Sequence, residues 1–264
     1  MTANRVERHR RGRRRRNKRN KGKLEQYILI AVLSIIVGGV FLIGWTGVRF
    51  IMESRIDPDD PVDGIDISSY QTDINWYEVE EEGYEFAVIK ATEGSSHVDP
   101  RFAINWKQAS ETGMSIGAYH FLSFDTDGDT QAENFIENVD KKWGSLPPTI
   151  DIELYGDYVN SPPDKETVDG ILTQVIHDFE DAYGKKPILY TNPHVYGLYL
   201  EEDEQYEDYP IWISDPEVPD QLPDGREWTF CQYSFEGESD AVGEGEHVDL
   251  NLFNGSLWKL KHLK

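Results

Sequence analysis

From Asp63 onward, eight short apolar runs alternate with longer stretches of helical periodicity, and no other feature restricts the fold as strongly. The runs are 64–67, 86–91, 116–122, 149–154, 187–191, 211–214, 228–233 and 247–253. Each has the length and the β-branched or aromatic content of a buried strand. Between them, Val168, Ile171, Leu172, Val175, Ile176, Phe179 and Tyr183 recur at three- and four-residue steps, which is one apolar stripe of a helix. Asp164 is placed to cap that helix and Gly184 to end it. A second helix is expected from near Thr130, where Thr130 and Glu133 have capping-box spacing. A third is expected over 101–112, ended by Gly113. Strands alternating with helices over about 200 residues predict an irregular, TIM-like β/α barrel. Its last strands, 230–235 and 247–253, are expected to pair without a helix between them. A doubly wound open sheet is the alternative.

The charge is split as sharply as the pattern. The chain has 26 Lys+Arg and 49 Asp+Glu, a net charge of −23. Residues 1–26 hold 12 of the bases and only two acids, Glu7 and Glu25, a net of +10. The remainder carries 14 bases against 47 acids, a net of −33. Between the two lie 22 residues without a charge, Tyr27 to Val48. At about 1.5 Å per residue they reach about 33 Å, enough to cross a bilayer core. Tyr27 and Trp45 stand near the ends, where amphipathic rings favour the interface. A cleaved signal peptide would have a shorter apolar region and an Ala-x-Ala-like site, so an uncleaved single-pass anchor is expected.

The positive-inside rule then puts the basic tail in the cytoplasm and everything after Arg49 outside the membrane. The tail can also touch anionic lipid. It lacks aromatic residues for base stacking, and no nucleic-acid partner is expected. The expected organisation is a tail over 1–26, a transmembrane helix over 27–48, a linker over 49–62 and a catalytic domain over 63–264.

With so many acids, most must be solvated. The informative ones sit inside apolar strands, where an unpaired buried charge is costly. Four do: Asp66, Asp151, Glu153 and Asp249. Residues two apart on a strand share a face, so Asp151 and Glu153 point the same way while Ile150, Ile152 and Leu154 point the other. Two carboxyls that close disfavour double ionisation, which leaves a proton donor beside a carboxylate. Glycosidic cleavage needs such a donor and a second carboxylate. Asp66 and Asp249, on other strands, can converge on the same barrel mouth. Pairing of these acids to Lys or Arg is the competing reading, and this segment has few bases to offer.

The order of several short motifs resembles the glycoside hydrolase family 25 lysozymes, which are N-acetylmuramidases. The motifs are Gly64-Ile65-Asp66-Ile67-Ser68-Ser69-Tyr70-Gln71, Ile74-Asn75-Trp76, Phe86-Ala87-Val88-Ile89-Lys90-Ala91-Thr92-Glu93-Gly94 and Gly117-Ala118-Tyr119-His120-Phe121. Pro148-Thr149-Ile150-Asp151-Ile152-Glu153, Ile188-Leu189-Tyr190-Thr191, Trp212-Ile213, Gln232-Tyr233 and Val248-Asp249-Leu250-Asn251 follow. The resemblance spans nearly all of 64–253. It implies hydrolysis of the β-1,4 bond between N-acetylmuramic acid and N-acetylglucosamine in peptidoglycan glycan strands. It implies Glu153 as general acid, with Asp66, Asp151 and Asp249 as the other acids of the site. The partner carboxylate could attack directly, activate water or orient the substrate acetamide. A non-catalytic wall-binding barrel and an endo-N-acetylglucosaminidase are the alternative functions. Asp215-Pro216, after Trp212-Ile213-Ser214, departs from the usual pattern and adds an acid near the rim.

Tyr70, Tyr119, Tyr190, Trp212 and Tyr233 lie at or near strand ends, where they could stack on sugar rings. His120 follows Tyr119 on a strand, faces the other way and reads as structural. The single cysteine, Cys231, lies in an apolar run and reads as a small buried thiol. Asp125-Thr126-Asp127-Gly128-Asp129 fails the calcium-loop pattern, because Gly128 is fourth and Ile136 occupies the twelfth position. The histidines have no metal-site spacing. No metal and no cofactor are expected.

Overall fold

The computed structural model describes residues 61–141 and 145–263. The expected transmembrane helix at 27–48, the basic tail and most of the linker lie outside them. Among the described residues, no helix is long and apolar enough to cross a membrane.

Eight strands form a closed barrel. In chain order they are β1 (Val62–Ile67), β2 (Phe86–Glu93), β4 (Ser115–Phe121), β5 (Thr149–Asp151), β6 (Ile188–Thr191), β7 (Ile211–Ser214), β8 (Phe230–Gly237) and β9 (Val248–Phe253). A two-residue strand, β3 (His97–Val98), adds to the edge of β2. The strands from β1 to β8 that build the wall run parallel, and β9 runs antiparallel between β8 and β1. Because β1 pairs with both β2 and β9, the sheet has no gap, which excludes the open doubly wound alternative. β8 and β9 pair with no helix between them, as the spacing of their runs predicts.

Helices α1 (Trp76–Glu81), α2 (Phe102–Ala109), α3 (Gly128–Asn138), α4 (Lys165–Tyr183) and α5 (Pro193–Tyr199) follow individual strands, and α6 (Leu257–Lys261) follows β9. Of the α4 stripe, Val168, Leu172, Val175, Ile176 and Phe179 are buried, and Ile171 and Tyr183 are half-buried against the same core. Asp164 accepts from the Thr167 backbone N–H, and Gly184 ends the helix at φ 68°, a left-handed conformation that glycine adopts without strain. Two expected boundaries differ. The α3 cap is Asp127, which accepts from the Thr130 N–H, because the chain already turns helical at Gly128. The α2 helix is shorter than 101–112. The Ser110 and Thr112 hydroxyls donate to the carbonyls of Trp106 and Ala109 and satisfy them without further helical turns.

Strand alternation builds two apolar layers. Ala87, Ile89, Ile150, Leu189, Ile211, Ile213 and Cys231 face outward and pack on helical residues such as Trp106, Phe135, Val168, Leu172 and Phe179. Cys231 is thus a buried thiol in this layer. Phe86, Val88, Ile188, Trp212, Phe230 and Phe253 face inward. Their rings pack against each other, with Phe86–Phe230 at 5.3 Å and Phe230–Phe253 at 5.0 Å. Leu146 and Leu260 join this cluster near the N-terminal ends of the parallel strands. A Cβ on Gly64 would overlap the Phe86 ring, so glycine at that position is what lets the phenylalanine fill the barrel. The lower barrel is therefore a packed core. The acids of the barrel interior lie toward its C-terminal mouth.

Candidate active site

The mouth holds a cavity of about 160 Å³ lined by Asp66, Tyr119, Thr149, Asp151, Glu153, Tyr190, Trp212, Gln232, Phe235 and Asp249. All four strand acids of the sequence thus meet at one place. They arrive by inward alternation: Asp66 on β1, Asp151 at the end of β5, Asp249 on β9. Glu153 lies two residues beyond the last β5 residue, so β5 is shorter than the apolar run 149–154. Ile152 bridges the gap. Its N–H donates to the Tyr190 carbonyl at 2.9 Å, and its own carbonyl accepts the Thr191 hydroxyl at 2.9 Å. One-sided pairing with β6 keeps the alternation going, and Glu153 therefore shares the Asp151 side.

Asp66 is held by two amides. Its Oδ2 accepts from Gln232 Nε2 and from Asn251 Nδ2, each at 2.8 Å. The orientation of both amides is set by what their oxygens accept. Gln232 Oε1 takes the Tyr190 hydroxyl at 2.7 Å and the Ser214 hydroxyl at 2.8 Å. Asn251 Oδ1 takes Trp212 Nε1 at 2.9 Å. Strand acidity singles out neither amide, because a buried amide carries no charge to conflict with an apolar run. Both belong to the site all the same, as does the ring of Phe235.

The electrostatics follow from burial. Desolvation raises the Asp66 carboxyl well above its ordinary range, and Asp249 opposite raises it further, against the pull of the two amides. Asp249 is pushed up to about 6, also chiefly by desolvation, while its hydrogen bond with Asp66 pulls it back. The two carboxyls, opposite one another and both raised, disfavour double ionisation. Burial likewise raises Asp151, followed by the Glu153 charge, with Lys90 opposing. Glu153 is raised by desolvation and then by Asp249, again with Lys90 opposing. Among the described residues, Asp151 Oδ1 and the Thr149 hydroxyl are buried without a hydrogen-bond partner. A buried acceptor in that state calls for a donor from a ligand or a water.

The five aromatic candidates separate. Tyr119, Tyr190 and Trp212 line the cavity. Tyr70 lies on the turn after β1, 88% exposed. Tyr233 follows the inward Gln232 and so packs outward against the strand–helix layer. His120 also sits in that layer. Its Nδ1 lies 2.7 Å from the Thr92 hydroxyl and its Nε2 3.2 Å from Gln131 Oε1, and burial lowers its pKa to about 4. Asp215 follows β7 but is not part of the cavity lining. In the acidic turn, Asp125 accepts from the Tyr155 and Tyr158 hydroxyls and Asp127 caps α3.

A closed, mostly parallel barrel with four acids at its C-terminal mouth is a glycosidase arrangement, and known proteins agree. The model of the family "Glycosyl hydrolases family 25" matches residues 65–242. A solved family 25 glycosyl hydrolase from Bacillus anthracis is 42% identical, with 79% of this chain and 94% of that chain covered at a TM-score of 0.72. The bacterial lysozyme from Streptomyces coelicolor is 29% identical over 78% of this chain and 97% of its own, with a TM-score of 0.70. Lysozyme M1 of Streptomyces globisporus is 34% identical over 228 residues, 79% of this chain and 74% of its own length. This chain therefore belongs to glycosyl hydrolase family 25 and is a glycoside hydrolase.

Proposed function

We propose that the protein hydrolyses peptidoglycan at the β-1,4 bond between N-acetylmuramic acid and N-acetylglucosamine, with Glu153 as general acid. The observation that carries this reading is the placement of Glu153 among the cavity acids. Its carboxyl lines the cavity, and desolvation together with Asp249 favours its protonated form. A donor of this kind can protonate the glycosidic oxygen as the bond to C1 breaks. Asp151, deeper and with one oxygen unpartnered, is suited to accept the N–H of a substrate acetamide and hold that group against C1. Asp66 and Asp249 together carry one proton and one negative charge on the opposite wall. The lysozymes among the relatives support the substrate class.

Digestion of purified peptidoglycan tests the bond assignment. After borohydride reduction, the new ends are expected as muramitol derivatives. Reduced N-acetylglucosamine ends would instead identify an endo-N-acetylglucosaminidase. Glycan binding without new ends would identify a wall-binding barrel.

The same proposal includes the setting of the enzyme. The uncharged span at 27–48 anchors it as a single-pass protein, with residues 1–26 cytoplasmic and the catalytic domain outside. The basic tail then lies against anionic lipid. Protease added to cells stripped of their wall should remove the catalytic domain and spare an epitope on the tail. Removal of both, or of neither, would contradict that topology.

A further inference from the structure

The cavity acids have a cation near them, and the strand that carries it is irregular. On β2, Phe86 and Val88 face the barrel interior, which places Lys90 inward as well. In a regular strand Glu93, three residues on, would face outward. The register with β4 breaks here instead: Lys90 pairs with Tyr119, but Thr92 pairs with His120 and Glu93 with Phe121. One extra residue, Ala91, is accommodated as a bulge, and the alternation is reset. Lys90 and Glu93 therefore share the inner side, and their side chains form an ion pair at 2.7 Å. The Lys90 ammonium also lies over the Phe121 ring, 5.2 Å from its centre. Phe121 is the register partner of Glu93 on one side and of Asp151 on the other. The ammonium is thus fixed beside the β5 end, with its side chain only 17% exposed.

The geometry points to Lys90 as a positioning residue of the reaction: the bulge and Glu93 hold its ammonium beside Asp151 and Glu153, so that both can carry negative charge in turn. The role rests on the proposed function of Glu153. When the C1–O bond breaks, its electron pair stays on the leaving oxygen, which takes the Glu153 proton. Glu153 is then a carboxylate facing Asp249 and next to Asp151, in a site largely removed from water. A fixed cation lowers the cost of that state, and its effect is strong where screening is weak. The other groups around it are anionic or neutral. Asp66 and Asp249 from β1 and β9, and the Tyr119 and Tyr190 phenols from β4 and β6, line the cavity that holds Asp151 and Glu153. His120, on the outer side of β4, is neutral near pH 7. Lys90 opposes the upward shift of both Asp151 and Glu153, in keeping with this placement.

The test uses the full chain in detergent and purified peptidoglycan, with kcat/KM followed against pH. Lys90→Met removes the charge and keeps most of the stem. Both limbs of the profile are expected to move to higher pH by about one unit, with a lower maximum. Lys90→Arg should restore the wild-type limbs, which a purely packing role would not require. Lys90→Gln serves as the second neutral variant should Lys90→Met fold poorly, as judged by its melting curve. A folded neutral variant whose limbs coincide with the wild type overturns the role of Lys90. That outcome differs from failure of the underlying reading, in which Glu153→Gln would retain full activity.

Discussion

Asp66 and Asp249 stand directly opposite one another on the antiparallel strands β1 and β9, and Gln232 Nε2 donates to both carboxyls, at 2.8 and 3.5 Å. Two acids facing each other in a buried site cannot both ionise cheaply. The pair titrates as a unit and holds one proton across the range in which isolated aspartates have lost theirs.

This pairing costs stability at neutral pH. Folded-state carboxyls raised above their unfolded values favour the fold most at low pH. That contribution is lost as pH rises from about 4 through about 6, the range set by Asp249. Asp66→Asn imitates the protonated acid: its oxygen can still accept from Gln232 and Asn251, and its amide can donate to Asp249. The variant is expected to melt higher than the wild type at pH 7.5, with the difference shrinking toward pH 4. Melting curves across that range check it, and a constant difference would contradict the shared proton.

The amide clamp is expected to matter for the fold as well as the site. Asn251→Leu strips a partner from Asp66 Oδ2 and from Trp212 Nε1 together. Leaving buried polar groups unpaired costs on the order of 1–3 kcal/mol. For a domain of this size that is a fall in Tm of roughly 3–10 °C. Circular dichroism melting measures it directly, and an unchanged Tm would mean that water replaces the amide at no cost.

His120 acts in the opposite pH direction. Its folded pKa of about 4 lies below the ordinary 6.5, so its contribution is complete above pH 6.5 and fades as pH falls toward 4. At about 1.4 kcal/mol per pH unit this amounts to roughly 3 kcal/mol. Replacement by the neutral His120→Gln should lower stability at pH 7, because the packing against Phe135 and Phe179 is lost. It should also flatten the decline between pH 6.5 and 4. Denaturant titrations at several pH values separate the two effects.

Phe235 is expected to act on binding rather than on chemistry. It is 53% exposed, lines the cavity and lies within the second register break of β8, between Ser234 and Gly237. An open ring face at a carbohydrate cavity suits stacking on a sugar. Phe235→Ala should raise KM on soluble glycan chains by about fivefold, equivalent to roughly 1 kcal/mol, with kcat retained. Phe235→Tyr should restore KM. A loss confined to kcat would show that the ring shapes the reacting centre instead.

These relationships differ in how far the sequence discloses them. The eight strand runs and the Val168–Tyr183 stripe are visible because buried strands and amphipathic helices must repeat their apolar residues at fixed periods. Asp66, Asp151 and Asp249 stand out because a charge inside an apolar strand conflicts with its surroundings. Gln232 and Asn251 raise no such conflict, so their clamp on Asp66 emerges only with the cavity around it. Tyr70 and Tyr233 show the limit of reasoning from strand ends. One residue of offset sends Tyr233 outward, and the turn after β1 leaves Tyr70 in solvent. The bulge at Ala91, which turns Glu93 toward Lys90, depends on pairing between strands far apart in the chain and has no local signature.

The central claim, that Glu153 is the proton donor, is tested most directly by kcat/KM of Glu153→Gln on purified peptidoglycan. The amide keeps the shape of the side chain and removes the transferable proton. A fall of about 10² to 10⁴-fold is expected, with an unchanged melting curve and retained glycan binding. Wild-type turnover in a folded Glu153→Gln enzyme would contradict it.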